Sequence, residues 1–391
     1  MAKFEFFSVP RILFGRGQFA RAGELSAQLG RAALIVFNGS EDLADRLAGL
    51  LSAAGVETKK FRQRGEPKVA DVDAALNLAR TAGSDMVIGI GGGSAIDAGK
   101  AVAALLTNGG SALDYMEVVG KGQKVTKIAA PWIAIPTTAG TGAEVTRNAV
   151  IGAPERRFKA SIRGEQLLAR IALVDPDLGL TTPPGVTASS GMDALCQCIE
   201  SYTSTGAQPM TDALALQGIR AAARSLRRAF ADGHDGAARE DMAMAALLSG
   251  ITLTNAGLGA VHGFAAPLGA NFPAPHGTIC AALLPHAIAA NVAALRSADA
   301  KHPSLSRFAT LGRSLTDFQT LSDSEAIDAA IQTCSALALD LKIPPLSQFG
   351  IAERDIAPMV ELAKKASSMR FNPIELTNAA LGQVLRNGIG G

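Results

Sequence analysis

The chain has 391 residues, 37 Lys and Arg against 35 Asp and Glu, a formal charge of +2 and 48% hydrophobic residues. That length exceeds one ordinary domain and predicts two lobes with a large core. The near-balanced charge, with no basic run longer than the Arg156-Arg157 pair, argues against nucleic acid or an anionic membrane as partner.

Four cysteines, Cys196, Cys198, Cys280 and Cys334, make no disulfide framework in a chain of this size, so a reducing cytoplasm is the expected compartment. The opening "MAKFEFFSVPRILFG" carries Glu5 early and is interrupted by Pro10, unlike a secretory signal. Apolar windows such as "TICAALLPHAIAANVAAL" contain His, Pro and Asn and are expected to fall short of a membrane span.

The first half alternates β-branched runs with Ala/Leu-rich stretches. A strand is expected at 32–38, a helix near 41–54, a strand near 56–61, a helix near 70–82 and a strand leading into glycines at 85–93. "PWIAIPTT" (131–138), "AVIGAP" and "RIALVDPDL" supply further extended segments. The rhythm is that of an α/β lobe with a parallel sheet. At the Pro183-Pro184 pair the composition changes, and from about Thr187 the text is long, Ala/Leu-rich and helical. The expected organisation is an α/β nucleotide-binding domain over 1–182 and an all-helical domain over 183–391, with the "NGIGG" tail fraying.

Gly91, Gly92 and Gly93 lie between a strand and an Ala-rich helix whose first turn follows Ser94. Backbone amides at such a helix start bind phosphate, and glycines allow a diphosphate to approach the main chain. The same triplet also suits a plain tight turn. It matches neither G-x-G-x-x-G nor a Walker A loop, because Lys100 lies too far on and no Ser or Thr follows it. A second loop, "PTTAGTGAEVT" (136–146), follows another strand end with several hydroxyls. Loops at the carboxyl edge of a parallel sheet converge on a ligand, and the pair points to a nucleotide.

"GGGSAIDAGKA", "IPTTAGTGAEVT", "VDPDL", "GMDAL", "VHGFAAPLGA" and "PAPHG", in this order and from "PRILFGRGQ" into the late helices, resemble the iron-containing (group III) alcohol dehydrogenases. The resemblance implies a dehydroquinate synthase-like fold: an N-terminal α/β lobe with a parallel sheet that binds NAD or NADP, and an all-α C-terminal lobe that carries a divalent metal. It implies a small alcohol and an aldehyde or ketone as substrates, and a homodimer or larger homo-oligomer. Carried over by motif, Gly92, Gly93 and Ser94 would bind the pyrophosphate with Asp97 beside them. Thr137, Thr138 and Thr141 would line the ribose and nicotinamide, and Lys159 would touch the cofactor, although a solvated lysine fits "RRFK" too. At the adenosine end, Asn38 stands where many members have an acidic residue, and Glu66-Pro67 replaces the usual Asn-Pro. Asparagine does not repel a 2′-phosphate, so NADP is admissible and NAD slightly favoured.

The family's metal ligands are Asp, His four residues on, and two histidines fourteen apart, which here are Asp193, Gln197, His262 and His276. A helical i, i+4 pair puts both side chains on one face. Gln197 keeps that geometry but offers a neutral, hard donor, which weakens selection for Fe(II) or Zn(II). Asp193, His262 and His276 still form an open carboxylate-bis-imidazole set and are the expected catalytic centre. A second imidazole is missing at Ala266, where many members carry a histidine thought to contribute to proton transfer. The cysteines are expected to be small buried helix residues, and His234, His286 and His302 to have no chemical role. Three alternatives stay open: a metal-independent carbonyl reductase on the same scaffold with a histidine as general acid, a lyase-type relative, and a non-catalytic nucleotide-binding homologue.

Overall fold

A computed structural model describes residues 3–156 and 158–390. They form two units, Phe7–Thr181 and a second built from Thr182 onward together with the few residues before Phe7. The break falls at the Pro-Pro pair, where a new helix starts with proline in its first turn, a position where the missing N–H is not needed.

In chain order the first unit contains β1 (Ile12–Phe14), α1 (Ala22–Ala27), β2 (Ala32–Phe37), α2 (Glu41–Ala53), β3 (Glu57–Arg62), α3 (Val69–Thr81), β4 (Met86–Gly91), α4 (Gly93–Asn108), α5 (Ala112–Tyr115), β5 (Trp132–Pro136), β6 (Asn148–Ala153), β7 (Phe158–Arg163) and β8 (Ile171–Val174). Six strands make a wholly parallel sheet in the order β1-β8-β5-β4-β2-β3. Ala33, Ile35 and Phe37 of β2, Met86 and Ile88 of β4, and Ile133 and Ile135 of β5 share one buried cluster with Leu25 of α1 and Leu47 and Leu51 of α2. The intervening residues, among them Leu34, Val36 and Val87, are also buried. A sheet covered on both faces explains why these strands read as continuous apolar runs rather than as alternation.

Two extended segments stand outside the large sheet, one expected from the sequence and one not. "AVIGAP" does not extend the large sheet; as β6 it pairs antiparallel with β7, with Gly152 opposite Lys159. The β7 stretch "FKASIR" has a buried pattern only at Ala160 and Ile162, too weak an apolar period to mark a strand. The glycine helix begins at Gly93 rather than after Ser94.

Among the described residues the second unit is helical: α6 (Pro184–Thr203), α7 (Pro209–Ala231), α8 (Gly236–Ala256), α9 (Ala260–Asn271), α10 (His276–Ala298), α11 (Ser304–Thr316), α12 (Asp323–Asp340), α13 (Ile356–Ala363) and α14 (Asn378–Ile389). The tail expected to fray is helical to Ile389, and Gly390 closes the helix in the left-handed region at φ 86°; Gly391 lies outside the described residues. The apolar window expected to fall short of a membrane span lies in α10, whose 23 residues are long and apolar enough for one by length and composition. The helix is apolar because 67% of that window is buried, packed against α6, α9, α12 and α14.

Candidate active site

In the first unit, neighbouring strands β4 and β5 end together, with Gly91 opposite Pro136 and the Thr137 amide donating to the Gly91 carbonyl at 2.9 Å. Gly91 turns the chain at φ 142°, and a Cβ there would lie 2.0 Å from Asn38 Oδ1. A Cβ on Gly93 would lie 2.9 Å from Thr141 Oγ1, and one on Gly92 3.3 Å from Thr138 Oγ1. The two loops named by the sequence therefore meet, with Thr138 and Thr141 against the glycines. Asn38 Oδ1 accepts from the Gly92 amide at 2.9 Å, so that amide is engaged within the loop. Gly92 accepts from the amides of Ala95 and Ile96. The amides of Gly93 and Ser94 have no acceptor among the described residues and stand at the positive end of the 16-residue helix α4, a cradle with the chemistry for a phosphate.

Lys100, passed over as a Walker lysine, has another part in this edge. Its side chain is completely buried, and Nζ donates to the Ala143 carbonyl at 2.8 Å, Thr146 Oγ1 at 2.6 Å and the Asn148 carbonyl at 2.6 Å. Asp97 Oδ1 lies 3.4 Å away, and Asp97 Oδ2 accepts from the Val150 amide at 3.0 Å. Burial lowers the Lys100 pKa against the pull of Asp97, and burial raises that of Asp97 against Lys100. The threonine loop and β6 are thus tied to α4 through Asp97 and Lys100. Lys159, in β7, forms an ion pair with Glu66, and Gly152, opposite Lys159, accepts a parallel bridge from Lys68 and donates to the Pro67 carbonyl at 2.8 Å. The Glu66-Pro67 change and Lys159 are therefore one local arrangement.

In the second unit, α6 presents Asp193, Gln197 and Glu200 at i, i+4 and i+7, one face of the helix. Asp193 Oδ1 lies 3.3 Å from His262 Nε2 and 3.6 Å from His276 Nε2. The two rings are 5.4 Å apart, tilted by 55°. Close helix approach brings them there: a Cβ on Gly277 would lie 2.1 Å from the Ser189 carbonyl oxygen and 3.4 Å from Asp193 Cβ, so only glycine lets the first turn of α10 press onto α6.

Glu200, not singled out in the sequence, orients His262. Its Oε2 lies 2.7 Å from His262 Nδ1, and its Oε1 accepts from the Val261 amide at 2.7 Å, at the N-terminus of α9. His262 thus has Nδ1 turned to Glu200 and Nε2 turned to Asp193; burial opposes charge on the ring, but Cys280, Asp193 and Glu200 raise its pKa well above the usual range. The signal was present in the sequence as a carboxylate seven residues after Asp193, on the same helix face.

Gln197 is engaged at both ends of its amide: Nε2 donates to Asp193 Oδ2 at 3.3 Å, and Oε1 accepts from Ser249 Oγ at 2.8 Å. Cys280, expected to be inert, instead joins the cluster with Sγ 3.7 Å from His262 Nε2. Single donor atoms from Asp193, His262, His276 and Cys280 all lie within 4.8 Å of one another. Ala266, one turn beyond His262, is exposed and brings no polar group.

The electrostatics of this cluster favour a cation. Burial raises the Asp193 carboxyl, and Cys280 adds to it. Burial opposes charge on His276, yet Cys280 and Asp193 raise it to about 9. Burial opposes a thiolate at Cys280, but the Cys196 thiol and the two imidazoles hold its pKa well below the usual range. The cluster thus favours positive charge, held by protons on the rings or by a divalent ion that displaces them, and the donor set of carboxylate, imidazoles and thiol fits such an ion.

A parallel α/β unit with free helix-start amides beside its glycine loop, and a helical unit with a carboxylate-imidazole cluster, define a two-domain protein of the α/β-plus-helical class. A family model described as iron-containing alcohol dehydrogenase matches residues 10–176, and one for the C-terminal part of the same family matches residues 187–389. The chain belongs to the iron-containing alcohol dehydrogenase family. It is 35% identical to a choline dehydrogenase of Bacillus subtilis, over 99% of this chain and 95% of the relative. It is 32% identical to an NAD-dependent methanol dehydrogenase of Bacillus methanolicus, over 98% and 99%. The crystal structure of a 1,3-propanediol oxidoreductase superposes with a TM-score of 0.91 at 33% identity, covering 99% of this chain and all of that one.

Proposed function

We propose that the chain is an NAD(P)-dependent, metal-dependent oxidoreductase that interconverts a small alcohol with its aldehyde or ketone by hydride transfer. The observation that carries this reading is the convergence of Asp193 Oδ1 on the Nε2 atoms of His262 and His276, at 3.3 and 3.6 Å, with Glu200 holding His262 through Nδ1. NAD is favoured over NADP, in line with the NAD-dependent methanol dehydrogenase relative; the choline, methanol and 1,3-propanediol enzymes it resembles favour a small primary alcohol. A cytoplasmic homo-oligomer belongs to the same reading, supported by four free cysteines and by the family resemblance.

Each group then has a task. Gly93 and Ser94 offer amides to the diphosphate, Thr138 and Thr141 shape the wall beside it, Asn38 holds the loop through the Gly92 amide, and Lys159 contributes charge at the rim. Asp193, His262 and His276 would hold the divalent ion, Fe(II) or Zn(II). A bound divalent ion supplies Lewis acidity, polarising a carbonyl oxygen or favouring the alkoxide. With Ala266 offering no imidazole, the alcohol proton would have no side-chain acceptor at that turn and would pass to solvent.

The test is His276→Ala with the protein assayed for both turnover and nucleotide binding. Turnover is expected to be abolished and NADH binding retained; unchanged turnover would sink the proposal. Elemental analysis of protein purified without added metal, with activity followed through chelation and return of Fe(II), Zn(II), Mn(II) or Mg(II), separates this reading from a metal-independent reductase.

A further inference from the structure

We infer that Cys280 Sγ is the fourth protein ligand of the metal centre, taking the place that Gln197 vacates, and that the centre is a thiolate site suited to Zn(II) or another thiophilic divalent ion. The inference rests on the metal-dependent reading above and deepens it.

Gln197 stands at the family's ligand position, yet its oxygen is turned to Ser249 Oγ and its nitrogen to Asp193 Oδ2. Rotating the amide to offer its oxygen toward the cluster would set that oxygen against the Asp193 carboxylate. Gln197 is therefore a positioning residue: it holds the second oxygen of Asp193 so that Oδ1 faces the histidines.

Cys280 lies one helical turn after His276, the i, i+4 relation on α10 that Asp193 and Gln197 have on α6. Around a tetrahedral zinc, bonds of about 2.0–2.1 Å to nitrogen or oxygen and about 2.3 Å to sulfur make ligand-to-ligand edges of about 3.3–3.6 Å. The observed separations are 3.3 Å for Asp193 Oδ1 to His262 Nε2, 3.6 Å for Asp193 Oδ1 to His276 Nε2, and 3.7 Å for Cys280 Sγ to His262 Nε2. The donors are thus close to coordination spacing. Cys196 is the other thiol nearby, but its Sγ is 4.0 Å from Nδ1 of His262, on the side of the ring that faces Glu200.

The exchange changes the chemistry. One carboxylate and three imidazoles leave a divalent ion with one net positive charge, whereas a carboxylate, a thiolate and two imidazoles leave none. Sulfur also selects thiophilic ions over Mg(II) and Mn(II). The expected centre is tighter for Zn(II) and a milder Lewis acid than an all-imidazole one.

The test is a Co(II) titration of chelator-stripped protein, read by absorption, on the unaltered chain, C280S, C280A and C196A. The unaltered chain and C196A are expected to bind one equivalent with a thiolate-to-cobalt charge-transfer band in the near ultraviolet. C280S and C280A are expected to keep the visible ligand-field bands and lose the charge-transfer band. Their Zn(II) affinity, measured by competition with a chromophoric chelator, should fall on the order of 100-fold or more, since loss of a direct ligand exceeds the 10–100-fold typical of its hydrogen-bond partners. Stoichiometric Co(II) binding by the unaltered chain without the charge-transfer band overturns the inference and leaves the metal-dependent reading intact; this readout needs no variant to fold. A band that survives in C280A also overturns it. Failure of the unaltered chain to bind Co(II) overturns the inference and the metal-dependent reading together.

Discussion

Glu200 Oε2 lies 2.7 Å from His262 Nδ1, while its other oxygen accepts from the Val261 amide at the start of the same helix. One carboxylate thus fixes a ring and the backbone that carries it. Glu200→Gln keeps an acceptor for the amide and loses the charge on the ring. Metal affinity is expected to fall 10–100-fold, measured by chelator competition, with a smaller change in metal-free thermal stability.

Gly277→Ala tests the contact between α6 and α10. A Cβ at 2.1 Å from the Ser189 carbonyl oxygen forces the helices apart, at a cost of about 1–3 kcal/mol by analogy with overpacked cores. Denaturant unfolding should show that loss, and metal content should drop with it because His276 and Cys280 move with the helix. Equal stability and full metal content in the variant would refute the packing argument.

Glu144 gives the first unit a defined pH dependence. Burial raises its carboxyl from 4.5 to about 7, with its own backbone amide and Lys100 pulling the other way. Between these values the folded chain holds a proton that the unfolded chain has released, so stability falls as pH rises. The contribution is fully present below pH 4.5 and lost above pH 7. Glu144→Gln should be more stable than the unaltered chain by up to about 3 kcal/mol at pH 8, with the gap closing toward pH 4.5 in urea titrations at each pH.

Lys159 is paired with Glu66. Glu66→Gln frees the ammonium for an incoming phosphate. NADPH is expected to bind a few-fold more tightly, consistent with the roughly 0.2–1 kcal/mol of exposed ion pairs, and the gain should shrink with salt. Calorimetry at two ionic strengths reads both effects; an unchanged Kd removes Lys159 from the nucleotide rim.

The strands β2, β4, β5 and β8 were legible because burial on both sheet faces writes itself as unbroken Val/Ile runs, and the helical unit because Ala and Leu dominate it. β7 was not, since a two-stranded hairpin buries only alternate residues of a basic stretch. Asp193, His262 and His276 were visible through motif order. Glu200 and Cys280 were hidden for different reasons. Glu200 needed the i+7 step of a helix to be read as well as i+4. Cys280 needed knowledge that α10 starts at His276, because only then does a thiol four residues later point the same way.

Lys100 is completely buried, with three oxygen acceptors within 2.8 Å drawn from one loop and the strand after it. An ammonium so enclosed holds its surroundings in a single arrangement, because any movement of the threonine loop strands a buried charge. On the proposed reading, an anion arriving at Gly93 and Ser94 would meet a loop already in position. Its binding free energy would not be diminished by ordering that loop, and discrimination between anions at this edge would depend on fit to a preset shape.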